Sequence, residues 1–521
     1  MNAASAPEIT KASTQKAHSA WTIYLLFALC ASVYLFPFMR IIIVGRDEGS
    51  FLDGAVRIVQ GQVFARDFFE IMGPGSFYWL AIFFKLFGAT FLASRICLFT
   101  SSLGMALSIY YLSRRICKQN QALPCLIVAG TSFGGLWPEI SHHLDSSFFG
   151  LLSVVCVVFW LDKPRNSFLI AAGILCAAAT LTLQPKGLLL FCAILLWLWI
   201  QRRKTSVPLS SFLCFAGGYV AVVMLVLLYF WNQGALNGLV YANFVFPYHR
   251  YGTVNTVAYA DDVFRIYWQP WAAGDGSKLL LGISVVRIIP FLFVAALPVL
   301  LLIAGIRYKW KLATPEVALY WLCGWAIWFG EIHRRDIFHL VFGSSLLIVV
   351  WVHSLTQDKN RLSKTALHIL AGSAVFLVAL NGCFVLIQGA HTSVTPVGKV
   401  SLIGDETILR LLKEHVQPGE KVLIYPFCPT CYFLSATANP TRYSLLVYNY
   451  NTREQLQEVV GDLENQRVKY VIWDSEFNAT MNKFFPGVLP KNPNDLTIEP
   501  YLESHYTVVE DDHGIRLMAR K

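Results

Sequence analysis

Asp47 and Glu48 stand side by side in Gly45-Arg46-Asp47-Glu48-Gly49, directly after the first long apolar run of a 521-residue chain. A carboxylate within hydrogen-bonding reach of a hydroxyl can take its proton and convert a poor nucleophile into a competent one. Asp47 is the candidate base. Glu48 beside it would perturb the Asp47 titration by like-charge coupling or orient the attacking molecule. The bland alternative is a pair that is simply solvated, or matched by Arg46 and Arg57. Two further groups suit the stabilisation of negative charge. Lys186 lies in the turn Gln184-Pro185-Lys186-Gly187, and Arg334 and Arg335 lie in the dense run from Glu331 to Asp336, with His339 just beyond. Glu331 and Asp336 also offer these cations ready partners, so an internally neutralised cluster is the competing reading.

These residues need elements to hold them, and composition indicates which kind. The chain is 55% hydrophobic and 14% charged, the profile of a polytopic membrane protein. A first span is expected over Trp21 to Val44, since a crossing needs about 20 residues. Further apolar runs near Thr90 to Leu112, Pro124 to Trp137, Ser146 to Leu161, Phe168 to Leu183, Leu188 to Ile200, Phe212 to Trp231, Leu279 to Ile303, Pro315 to Phe329, Ile337 to Ser354 and Ala366 to Ile387 bring the expectation to about 11 transmembrane helices. With the N-terminus cytoplasmic, every inner loop is basic: Arg114, Arg115 and Lys118; Lys163 and Arg165; Arg202 to Lys204; Arg307, Lys309 and Lys311; Lys359, Arg361 and Lys364. Asp47-Glu48, His142-His143-Leu144-Asp145, Lys186, the loop Asn232 to Lys278 and Glu331 to Asp336 then share the outer face. The net charge of +10 is topological in this reading and gives no reason to expect nucleic-acid binding.

The expected organisation is a cytoplasmic tail (1–20), a transmembrane catalytic domain (21–390) with its first outer loop at 45–88, and a small extracytoplasmic α/β domain (391–521). In the first loop, Phe51 to Gly61 has an apolar helical face that suits the membrane interface. Ser76 is a plausible N-cap for a second short helix ending at Gly88. The last domain is read as helices over Glu406 to Val416 and Arg453 to Gln466, strands over Lys421 to Pro426 and Lys469 to Asp474, and a terminal hairpin from Tyr506 to Glu510 and Gly514 to Ala519. It carries no Gly-rich nucleotide fingerprint. Its Cys428 and Cys431 suit a local disulfide or two free thiols better than a redox motif. Arg287, inside the eighth span, implies a partner or a polar cavity. Two aromatic runs, Phe246 to Tyr251 and Tyr267 to Trp271, suit either a stacking platform or an interface belt.

Arg46-Asp47-Glu48, then Phe68-Phe69-Glu70-Ile71-Met72-Gly73-Pro74-Gly75 and Tyr78-Trp79-Leu80 through Phe84-Lys85-Leu86-Phe87-Gly88, resemble the first outer loop of GT-C membrane glycosyltransferases, of the protein O-mannosyltransferase and aminoarabinose transferase group. The match extends over about the first 190 residues and is topological beyond them. Where many relatives carry His-Pro-Pro, this chain has Gly73-Pro74-Gly75. The resemblance implies a GT-C-like fold and an acid of the first loop, here Asp47, acting on the acceptor. It implies a donor sugar on a polyprenyl phosphate, transferred with inversion to a lipid, glycan or protein. It also implies a second functional acid at Asp145, binding the sugar, fixing an acceptor, or joining Asp47 around a divalent cation; capping of the following helix is the alternative for Asp145. His143 is a candidate substrate contact. Lys186, Arg334, Arg335, Asp336 and His339 are candidates for the donor phosphate, the last cluster resembling an Arg-x-Asp-x-x-His turn of some relatives at a helix start that would favour an anion. No cofactor is firmly implied. A bacterial inner membrane fits the resemblance. The alternative function is a polytopic transporter or lipid-linked saccharide flippase; against it, the sequence shows no inverted repeat, and the polar clusters gather on one side.

Overall fold

The computed structural model describes residues 8–132, 139–205, 207–254, 257–261, 263, 278–308, 314–358, 360–389, 391–448, 450–477 and 498–521. The first span does not run helical to Val44. Its α-helix, Glu8–Leu35, gives way to a 3-10 turn, Phe36–Arg40. Pro37 supplies no N–H to the α ladder, and the residue before a proline is driven away from the α region. The chain then extends as β1 (Ile41–Ile43).

The other expected apolar segments are helical wherever they are described. Leu123–Ser132 covers the start of the third, whose end lies outside the described residues. Among the described residues, seven helices are long and apolar enough to cross a membrane, or eight if one bent pair counts as a span, so eleven crossings are not reached. Asn166–Thr182 and Pro315–Phe329 are too short by that measure. The bent pair is Ile337–Gly343 and Ser345–Gln357, which meet at 70°.

The first loop also departs from expectation. Its leading helix, Glu48–Val59, buries not only Phe51, Leu52 and Ala55 but also Asp53 and Arg57, because the polar side is covered by protein. It is therefore not an interfacial helix with one wet face. The second helix, Pro74–Phe87, starts from Gly73 rather than Ser76 and stops at Gly88, whose φ of 82° suits glycine.

What covers the first loop comes from the far end of the chain. β1 pairs in parallel with β3 (Gly398–Ile403), Ile42 opposite Leu402, and β2 (Ser393–Thr395) completes a three-stranded sheet. A second sheet orders β4 (Val422–Tyr425), β5 (Tyr470–Asp474), β7 (Ile515–Arg520) and β6 (Tyr506–Asp512). β4 and β5 are parallel and the terminal hairpin is antiparallel. The expected helices form at Thr407–His415 and Arg453–Asn465, and two unexpected ones at Pro429–Ser435 and Ile498–His505. Cys428 and Cys431 are buried side by side, their sulfurs 2.6 Å apart.

Candidate functional site

Asp47 opens the helix Glu48–Val59, and the two carboxylates of the pair have opposite fates. Glu48 is fully buried. Its Oε1 accepts from Arg95 of the helix Phe91–Ile116 and, at 3.0 Å, from the Ile140 amide. Burial pushes the Glu48 carboxyl up, and Arg95 and the amide oppose that rise. Arg95 also donates to the Ile41 carbonyl at 3.1 Å, so one guanidinium joins β1, the first loop and a span. Glu48 therefore cannot touch a solvent-borne acceptor, and its partner is Arg95 rather than Arg46 or Arg57. Asp47, one residue earlier, is exposed and makes no side-chain cap to its own helix.

Two buried acids not singled out from sequence share the Asp47 neighbourhood. Glu70 accepts a short hydrogen bond from Ser444, and burial, with Asp53 and Asp47 adding to it, pushes its carboxyl up to about 8. Glu139 is raised well above the usual carboxylate range, by burial first and with Glu48 and Asp47 adding to the effect. The available signals were single acids in apolar contexts, Phe68-Phe69-Glu70 and Trp137-Pro138-Glu139.

Tyr251, at the end of the described aromatic run, links this neighbourhood to the second cluster. Arg334 hydrogen-bonds its hydroxyl. Burial raises the phenol's pKa, Arg334 opposes the rise, and the charges of Asp47 and Asp336 add to it. Tyr248 of the same run is 82% exposed, and the run Tyr267 to Trp271 lies outside the described residues.

In that second cluster, most of the cations are already paired. Lys186 is fully buried, forms an ion pair with Glu331, and donates to the Ser147 hydroxyl at 2.8 Å and the His143 carbonyl at 3.2 Å. Gly330 permits this approach, since a Cβ there would lie 2.4 Å from the Lys186 Cα. Arg334 donates to Asp336 at 2.7 Å and keeps a quarter of its side chain exposed. Asp336 is held down to about 2: burial opposes this, but His339 and Arg334 outweigh it. The helix after it, Ile337–Gly343, spans only seven residues, and Asp336 itself accepts from the His339 amide at 3.1 Å. That helix start is therefore occupied by a carboxylate and not open to an anion. Arg335 is exposed, and no side-chain partner is found for it among the described residues.

Asp145 has hydrogen-bond partners of its own. Ser141 caps its helix by accepting from the His143 amide, which leaves Asp145 in the first turn, where it accepts from Ser76 and Ser101 at 2.7 Å each. Helix capping is thus overturned for Asp145, and its carboxylate ties three elements together. Among the described residues, neither Asp47 nor Asp145 belongs to a group of three or more side chains placed to share a metal ion.

Long apolar spans, a buried first-loop helix and a sheet-bearing C-terminal region make up a GT-C-like fold, as the likeness to solved structures shows. Residues 72–231 match the family model described as dolichyl-phosphate-mannose-protein mannosyltransferase. The structure is similar to that of ArnT from Cupriavidus metallidurans bound to undecaprenyl phosphate, with a TM-score of 0.54, 13% identity, and 96% of this chain and 98% of that one covered. It is equally similar to the apo state of the same protein, with a TM-score of 0.53, 15% identity and the same coverage. No curated protein matches the chain by sequence.

Proposed function

We propose that this protein transfers a sugar from a polyprenyl-phosphate-linked donor to a lipid, glycan or protein hydroxyl, with Asp47 as the general base. The observation that carries this reading is the GT-C-like fold with Asp47 exposed at the start of its first-loop helix; Tyr251, near enough to interact with both Asp47 and Arg334, brings a carboxylate and a cation into one neighbourhood. A base and a phosphate-binding cation are the two groups such a transfer needs, because the acceptor must lose a proton while the departing lipid phosphate gains negative charge. Arg334 and the exposed Arg335 are assigned to the phosphate. Lys186, His339 and Asp336, held by their own partners, are assigned to shaping its surroundings, and Glu48 and Asp145 to positioning. Glu70, buried beside Ser444 and within reach of the Asp47 charge, is assigned to positioning on the acceptor side. The reaction is assigned to the extracytoplasmic face of a bacterial inner membrane, since the basic loops then lie inside. The division at about residue 390 makes 391–521 an outer domain whose docked segments wall the site.

The test is transfer of radiolabelled sugar from membrane-bound polyprenyl-phosphate donors to endogenous acceptors, comparing the intact protein with Asp47→Asn at matched expression. Removal of a general base is expected to lower transfer by about 10²–10⁴-fold while donor is still retained. Equal transfer would remove Asp47 from the mechanism.

A further inference from the structure

Glu331 is completely buried, and its two oxygens face different partners. Oε1 takes the Lys186 ammonium, and Oε2 lies 2.7 Å from Nδ1 of His143. His333, two residues further on, approaches the same point from an exposed turn. His143, Glu331 and His333 each offer a ligand atom, and these atoms all lie within 4.8 Å of one another. More imidazole surrounds them: the His143 ring centre is 3.9 Å from that of His142 and 4.4 Å from that of His339. Lys186 alone would neutralise Glu331, so charge balance does not explain why histidines from the helix His142–Asp162 and from the 331–339 segment converge on it.

We propose that His143, Glu331 and His333 form a binding site for a divalent transition-metal ion of the zinc type. Two imidazoles and one carboxylate make a borderline nitrogen and oxygen donor set that suits zinc, whereas magnesium and calcium prefer oxygen throughout. Three protein ligands leave a fourth position, which opens on the solvent-exposed side of His333. The tautomers fit this role. His333 Nδ1 faces the Gly330 carbonyl at 3.1 Å, so that nitrogen carries the proton and Nε2 keeps its lone pair for the metal. At His143 the ion takes the place of the proton lying between Nδ1 and Glu331 Oε2, and that proton leaves to solvent. Lys186 on the other Glu331 oxygen, and Ser147 behind Lys186, hold the carboxylate in orientation. With bonds of about 2.0–2.2 Å a tetrahedral ion holds its ligand atoms roughly 3.3 Å apart, so His143 Nδ1 and Glu331 Oε2 must open from 2.7 Å to admit it, and His333, on the exposed turn, is the ligand that closes on it.

The site stands on its own geometry, and its test does not use glycosyl transfer. Tag-free, full-length protein in detergent, stripped with a chelator, is titrated with Co²⁺ and followed by its visible spectrum, and with Zn²⁺ by calorimetry in two buffers of different protonation enthalpy. One ion per chain, intense tetrahedral-type Co²⁺ bands and release of a proton are expected. His333→Ala, at an exposed position, is expected to weaken binding at least about 10–100-fold without changing thermal unfolding of the metal-free protein. The zinc X-ray absorption edge of the unmodified protein should show a shell of nitrogen and oxygen. The proposal is overturned by no saturable Co²⁺ binding, by affinity unchanged in His333→Ala, or by sulfur in the zinc shell, which would point to Cys428 and Cys431. Loss of binding in His415→Ala instead would assign the ion to the more exposed Glu414, His415 and Glu510 group and would also overturn it.

Discussion

Glu48 shows how little a residue's neighbours in sequence say about its electrostatics. Next to an exposed Asp47, it is buried against Arg95, and removing one partner of such a pair strands the other without water. Arg95→Met is therefore expected to destabilise the protein by about 3–5 kcal/mol, and the double change with Glu48→Gln to recover part of that loss, read as midpoints of chemical unfolding in detergent. Glu70 gives a pH signature. Its folded pKa of about 8 lies above the ordinary carboxyl value, so the folded state holds a proton that the unfolded state gives up. The stability this group contributes is complete below its unfolded pKa and is lost as pH rises through about 8. Glu70→Gln should flatten that decline, so the variant should gain in thermal stability relative to wild type as pH rises from about 4.5 to about 8, with no further gain above that. Of the site, Asp47, Asp145, Lys186 and the Glu331 to His339 run were visible as polar residues in apolar surroundings. Which of them are exposed and which are locked was not visible, because Arg95 reaches Glu48, and Ser76 and Ser101 reach Asp145, from positions 44 to 69 residues away in sequence.

At the scale of elements, local rules located the helices and misjudged their surfaces and ends. The apolar period of the helix Glu48–Val59 buries Phe51, Leu52 and Ala55 but leaves Val59 exposed, and Asp53 and Arg57 look like a wet face in sequence because the segment covering them lies some 380 residues later. Likewise Trp21 to Val44 is continuous in hydropathy, and only Pro37 reveals where its helix ends. The contact between Glu48–Val59 and Pro429–Ser435 is close enough to be tested at one atom. A Cβ on Gly49 would fall 2.1 Å from the Thr430 backbone nitrogen, so the two helices cannot keep their spacing with any side chain there. Gly49→Val is expected to push Pro429–Ser435 away and expose Cys428 and Cys431, now both buried. Maleimide modification of the peptide carrying them, measured by mass spectrometry, should be faster than in wild type. An unchanged rate would mean that the interface yields elsewhere.

For the whole molecule, the C-terminal region is built into the first loop rather than appended to the membrane part. β1 pairs with β3, the Phe69 amide donates to the Arg442 carbonyl at 2.7 Å, and Arg57 donates twice to the Thr441 carbonyl at 3.1 Å while holding Asp53 at 2.8 Å. The segment 439–445 thus reaches Glu70 through Ser444 and lies over the helix that Asp47 opens. Arg57 is the joint whose loss tests this coupling, because its substitution removes the fastening to Thr441 and leaves Asp53 buried without its cation. Arg57→Ala is expected to raise hydrogen exchange in 439–445 and in 48–59 together, and to lower sugar transfer although Arg57 touches neither Asp47 nor Arg334. Asp53→Asn combined with Arg57→Ala removes the stranded charge and should restore stability more than transfer, since the docking contact stays broken. If exchange rose in 439–445 alone and transfer stayed at the wild-type level, the C-terminal segment would be a neighbour of the site and not one of its walls.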